Sequence, residues 1–213
     1  LNLRCSVLAA LTPEARDSGV LLCSSGELFS ADDVTLADPT SLDSAFTSPR
    51  KGSIGKMLNG EIKFFSKAER PPFLLRRPSE LPRVEILWAV LGGGDKSLDY
   101  LSSERNLGGL VLAGFGSGNV PPSWMPSIRS ILRREIPVAI SSRCFVAHVN
   151  RTSDFEGSFE CLTDMGVMSA GNLNPLKARI RMSIGLGSGL TETGLSHYLL
   201  NKSVSGDERD LYK

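Results

Sequence analysis

Gly114-Phe115-Gly116-Ser117-Gly118-Asn119 is the segment of this 213-residue chain whose residue types and spacing most suggest chemistry. It follows the apolar run Gly109 to Ala113 and precedes a helical pattern over Ser123 to Arg134, the place where open α/β sheets keep their ligand crevice. Two readings fit such a loop. Glycines let backbone N–H groups close on a phosphate at a helix N-terminus, which would make a nucleotide-binding, flavodoxin-like module. Alternatively the loop is a tight strand-to-helix turn that needs positive φ and no ligand. The spacing counts against a phosphate. No glycine follows Gly118 at the interval a dinucleotide site requires, and Pro121 and Pro122 remove two N–H donors.

Other reactive side chains are sparse. His148 and His197 are the only histidines, neither lies near a serine or cysteine in a nucleophile motif, and they are too few to frame a metal site. No catalytic residue, metal ligand or cofactor is assigned. Cys5, Cys23, Cys144 and Cys161 stand singly, without C-x-x-C spacing, and are expected as free, mostly buried thiols; a disulfide between two of them stays open. Lys and Arg number 24 against 23 Asp and Glu, so the whole-chain charge offers no pull toward nucleic acid. No apolar run approaches the roughly 18 residues of a membrane span. The chain reads as soluble, with the cytoplasm as the default compartment.

The elements that must position the loop alternate regularly. Strands are expected at Val84 to Val90, Gly109 to Ala113 and Pro137 to Ser141, and helices at Ser97 to Arg105, Ser123 to Arg134 and Pro175 to Leu186. Strands separated by helices of this length imply βαβ units and a parallel sheet. One more helix is expected around Leu195 to Leu200, before a polar tail. Asn174 caps the Pro175 helix through its side chain, Pro175 fills the first turn, and Ile180 and Ile184 should face the core.

Upstream, four prolines mark Ser66 to Arg83 as a linker. Before it, Asn59-Gly60 predicts a two-residue hairpin turn, and Val20 to Cys23 reads as a buried parallel strand. Leu3, Val7, Leu8 and Leu11 follow a helical period from the first residues onward, and Leu1 rather than Met opens the chain, so further polypeptide is expected before it. The division is 1–65, 66–83 and 84–213.

Three ordered motifs carry a family resemblance. Gly108 to Asn119 resembles the strand and A-G-x-G-x-G-N loop of the asparaginase C-terminal domain. Ile136 to Arg143 is similar to its I-P-V-V-x-S-S-R strand, and Ala170 to Arg179 to its A-G-x-L-N-P-x-K-A-R. The first region matches less closely, with Leu1-Asn2-Leu3, Gly19 to Cys23, and Asp33-Val34-Thr35 at the beginning of D-V-T-K-T. There the family's lysine is replaced by Leu36, which can neither carry charge nor donate a proton.

The resemblance to the bacterial-type L-asparaginase/glutaminase family implies an α/β protein. Residues 1–65 would be the remnant of a larger N-terminal α/β domain, and 84–213 a flavodoxin-like parallel-sheet C-terminal domain. It implies an amidohydrolase that, in its complete form, converts L-asparagine and water to L-aspartate and ammonia, glutamine being a second candidate substrate. The family's threonine nucleophile comes from a T-G-G-T segment that this sequence does not contain, so the chain alone is expected to be inactive. The alternative is a non-catalytic relative acting as a subunit partner or binding module. By position, Asn119 matches a family residue that reaches the active site of a neighbouring subunit, and Glu160 lies within a residue of where the family places an acidic group that binds the substrate's amino group across the interface, a surface carboxylate being its other reading; the resemblance implies a homo-oligomer.

Overall fold

At Asn59-Gly60 both residues adopt positive φ, 52° and 87°, the conformation a two-residue turn needs if its twist is to match the strands on either side. In the computed structural model this turn joins β5 (Gly55–Leu58) to β6 (Glu61–Phe64), with Leu58 opposite Glu61. The structure describes residues 1–68, 70, 74, 76–202 and 211–212. The chain divides into two units, Leu1–Pro71 and Pro72–Lys213. Within the expected linker, residues 69, 71–73 and 75 lie outside the described residues, as do 203–210 of the polar tail.

The first unit holds α1 (Asn2–Leu11), β1 (Leu21–Ser24), β2 (Glu27–Ser30) and a small ribbon of β3 (Thr35–Leu36) with β4 (Phe46–Thr47), besides the β5–β6 hairpin. Its four-stranded sheet runs β1-β2-β5-β6, and every pairing is antiparallel. The expectation of a buried parallel strand at Val20 to Cys23 is therefore corrected. β1 pairs antiparallel with β2 at one edge, Leu21 to Cys23 are only half-buried, and Val20 is exposed. A short apolar run alone does not distinguish the two arrangements.

The face of α1 is also corrected. Leu3 and Leu11 are 81% and 76% exposed, Val7 is exposed too, and the helix buries Cys5 and Ala9 instead, against Leu28 and Ile54. The irregular stretch after β2 is organised by the buried Asp33. Its carboxylate accepts from Ser48 Oγ at 2.5 Å, from the backbone N–H groups of Arg50 and Lys51 at 3.0 and 2.9 Å, and from Arg50 Nε at 3.1 Å. Burial alone raises the pKa of such a carboxyl, but the donors on Ser48, Lys51 and Arg50 together hold it below the ordinary range.

The second unit builds on β7 (Val84–Trp88), β8 (Gly109–Gly114), β9 (Val138–Ser142) and β10 (Met168–Ser169), in the order β10-β9-β8-β7 and parallel throughout. β8 is buried at every residue. Side chains alternate between faces along a strand, so Leu110 and Leu112 join one core while Val111 joins the other. On the first face lie α2 (Asp95–Ser103), α3 (Met125–Arg133) and α4 (Phe159–Asp164), contributing Leu98, Ile128, Ile131 and Leu162. On the second lie α5 (Pro175–Gly187) and α6 (Glu192–Leu199), contributing Ala178, Met182, Leu195 and Leu199. Each fully buried aliphatic side chain stabilises this three-layer unit by about 1.5–3 kcal/mol.

Asn174 caps α5 as its sequence suggests, accepting from Lys177 N–H at 2.9 Å. The predicted inward face of that helix is corrected: Ile180 is 53% exposed and Ile184 half-buried, while Ala178, Met182, Ser183 and Gly185 face inward. Small residues on this side let α5 lie close over β7, β8 and β9.

Candidate functional site

The carboxyl ends of β7, β8 and β9 are tied together by a polar side-chain set. Where β8 ends, Gly114 has no room for a side chain: a Cβ there would sit 2.8 Å from the Asn119 carbonyl oxygen and 2.9 Å from Ile140. The loop closes on itself as Phe115 and Asn119 exchange backbone hydrogen bonds of 2.7 and 3.0 Å. Gly118 takes φ +107° beside Val149 and Phe159, a conformation that L side chains rarely adopt. The turn reading of the glycine loop thus has a direct steric basis.

Ser142, the last residue of β9, donates from Oγ to the Gly116 carbonyl at 2.6 Å and accepts from Cys144 N–H at 3.1 Å. Arg143 sends its backbone N–H to Gly114 O at 2.9 Å and Nη1 to Ala89 O at 2.7 Å. Its guanidinium carbon lies 4.3 Å from the centroid of the Phe115 ring, close enough for cation–π attraction. One side chain thereby links the end of β7 to the loop after β8. Asn150 N–H adds a bond to Ser117 O at 3.1 Å, and Val120 N–H one to Gly157 O at 2.8 Å.

Asn119 bonds the backbone at the start of α4, whose second residue is Glu160. Asn119 Oδ1 accepts the backbone N–H of Phe159 at 3.1 Å, so its amide oxygen satisfies one of the unpaired donors at a helix start. Ser158 provides the N-cap through Oγ, accepting from Cys161 N–H at 3.2 Å. With Oδ1 occupied, the side chain has one orientation, and its Nδ2 donors find no acceptor among the described residues. Glu160 follows Phe159 directly and is held by Arg151, with Nη1 to Oε1 at 2.6 Å; the second Arg151 nitrogen lies 3.6 Å from Asp164. The Glu160 side chain is 34% exposed. Asn119 is thus bonded to the residue before Glu160, whose carboxylate is turned to Arg151.

Sequence reasoning assigned no function to Ser142, Arg143 or Arg151, and α4 and β10 were not expected. Gly157-Ser158 before Phe159 is an N-cap signal for α4, but a helix of six residues is too short for its period to register. His148 Nδ1 lies 2.7 Å from Asn172 Oδ1. The thiols are all free, but only Cys5 is buried; Cys23 and Cys161 are half-buried and Cys144 is exposed, which corrects the expectation of mostly buried thiols. Among the described residues no three His, Cys, Asp or Glu side chains gather as a metal site. No helix of the described residues is long and apolar enough to cross a membrane.

Leu36, where the resemblance places a lysine, is 53% exposed on β3. Lys51 instead pairs with Asp32 at 2.6 Å.

Comparison with known proteins agrees with this architecture. Residues 83–199 match the Glutaminase/Asparaginase C-terminal domain, and residues 1–70 match Asparaginase, N-terminal. The chain is 28% identical over 193 residues to a probable periplasmic L-asparaginase of Haemophilus influenzae, covering 87% of this chain and 53% of that protein. It is 30% identical over 194 residues to a probable L-asparaginase of Deinococcus radiodurans, covering 88% and 57%. The crystal structure of a probable cytoplasmic L-asparaginase from Campylobacter jejuni superposes with a TM-score of 0.76 at 27% identity, over 93% of this chain and 62% of that one. The chain spans about half the length of the curated relatives it matches. Their names include both a periplasmic and a cytoplasmic protein, and so favour neither compartment. With a parallel-sheet unit of matching topology and family matches over most of both units, this chain belongs to the glutaminase/asparaginase family.

Proposed function

We propose that this chain is the substrate-recognising part of an asparaginase-type amidohydrolase, in which Asn119 and Glu160 contact a small amide substrate such as L-asparagine. The observation that carries the reading is the bond from the Phe159 N–H to Asn119 Oδ1, which ties Asn119 to the start of α4, where the next residue, Glu160, is held by Arg151. Nδ2 of Asn119 donates to a substrate oxygen, and a Glu160 oxygen accepts from its ammonium. The amide carbonyl itself must be attacked by a nucleophile, and none of Thr35, Thr40 and Thr47 lies in the T-G-G-T motif of the family. The chain by itself is therefore inactive, and its substrate contacts serve a nucleophile from other polypeptide, as in a homo-oligomer of complete chains.

Joining the chain behind an amino-terminal portion that carries the T-G-G-T motif of the family tests this. Ammonia release from L-asparagine is expected in the chimera and is expected to fall at least tenfold with Asn119→Ala. Turnover by the 213-residue chain alone, or a chimera indifferent to Asn119→Ala, overturns the proposal.

The exposed Leu36 supports a second reading, a non-catalytic family member that keeps the fold without the chemistry. Under that reading the chimera gives no turnover even after Leu36→Lys. A gain in rate with Leu36→Lys assigns the defect to the missing ammonium group.

A further inference from the structure

Two cysteines share the apolar cluster formed where α1 packs on β1. Cys5 points inward from α1 and is fully buried, while Cys23 sits in the middle of β1, half-buried, in the same apolar cluster. Burial beside Cys23 pushes the Cys5 pKa up to about 12. Cys23 also lines a cavity of about 450 Å³ bounded by Ser6, Ala9, Thr12, Pro13, Gly19 and Leu21. One sulfur of the pair therefore faces an opening and the other lies behind it. Cys144 and Cys161 belong to the other unit, and Cys5 and Cys23 are the cysteines of this one.

We propose that Cys5 and Cys23 form a disulfide-forming site, oxidised by thiol–disulfide exchange with a small organic disulfide that enters through the cavity. The Cys23 thiolate attacks one sulfur of the reagent, whose S–S bond breaks and releases one thiolate. Cys5 then gives up its proton and attacks Cys23 Sγ, expelling the second thiolate. Two protein thiols are oxidised to one disulfide, the reagent is reduced to two thiols, and the two protons pass through solvent to the leaving groups. The order follows from access, because Cys23 can be reached and Cys5 cannot. The second step is the slow one, since the attacking sulfur is held protonated, and its rate rises with pH. The product cross-links α1 to β1 across residues 5 to 23, restricting the unfolded chain and raising the unfolding midpoint by several degrees.

The test uses the full chain carrying Cys144→Ser and Cys161→Ser, incubated with glutathione disulfide. Expected is a product lighter by two hydrogens, a peptide joining Cys5 to Cys23, and a transient glutathione adduct on Cys23 that closes faster at alkaline pH. Closure is expected at least tenfold faster in the folded chain than in denaturant, which separates a preformed pair from chance encounter. In a Cys23→Ser variant of that chain, Cys5 is expected to resist modification until denaturant is added. A stable adduct on Cys23 that never closes, or equal closure rates with and without denaturant, overturns the proposal; so does a freely reactive Cys5.

Discussion

Arg143 follows β9, bonds the carbonyl of Ala89 and lies against the Phe115 ring, so it fixes the loop that carries Asn119. Removing it deletes a charge-assisted hydrogen bond and a cation–π contact, and Arg143→Ala is expected to destabilise the second unit by about 2 kcal/mol. Arg143→Lys should recover less than half, because an ammonium cannot both stack flat and reach the carbonyl. Chemical denaturation of the three proteins checks this. Asp33 gives a pH prediction. Its folded pKa lies below the unfolded value, so its contribution is complete above the ordinary carboxylate range and is lost as pH falls through the folded value. Asp33→Asn should cost roughly 3 kcal/mol at neutral pH and flatten the acid limb of stability against pH. A variant with an unchanged acid limb would show that the depressed pKa does not drive acid unfolding.

Among the elements, α1 separates pattern from packing. The leucine and valine period along it suggests a core stripe, yet Leu3 and Val7 are exposed while Ala9 is buried. Leu3→Gln and Val7→Gln are therefore expected to change stability by less than about 0.5 kcal/mol each, whereas Ala9→Leu should cost about 1–3 kcal/mol through overpacking. Thermal unfolding measures both, and the reverse ranking would restore the stripe to the core. Asn174→Ala should cost about 1 kcal/mol through the lost α5 cap. The elements legible in the sequence are those with a strong local cause. Asn59-Gly60 dictates its turn, Asn174-Pro175 starts its helix, and β7, β8 and β9 are apolar runs separated by helical periods. Less legible was whatever is set by what pairs or packs alongside, or is too short to show a period. The direction of β1 is set by β2, the inner faces of α1 and α5 are set by what packs on them, and α4 with β10 falls below the length of a readable period. At the site, Asn119 and Glu160 were picked out by resemblance alone. The bond from the Phe159 N–H to Asn119 needed the fold, because 40 residues separate its two partners.

For the whole molecule, the two units are built on opposite pairing principles. In the first, β1 with β2 and β5 with β6 are neighbours in sequence joined by tight turns. In the second, no strand can pair until an intervening segment of at least twenty residues has been laid down, as between Trp88 and Gly109. Closing long segments costs chain entropy before any contact compensates for it, and such topologies organise slowly. Pulse-labelled amide exchange during refolding should therefore register the Met57–Ile62 pairing ahead of Val111–Ala139. The loop that Ser142 and Arg143 bond at the far ends of these late-pairing strands is completed late, so a ligand captured through it would select molecules whose maturation has finished.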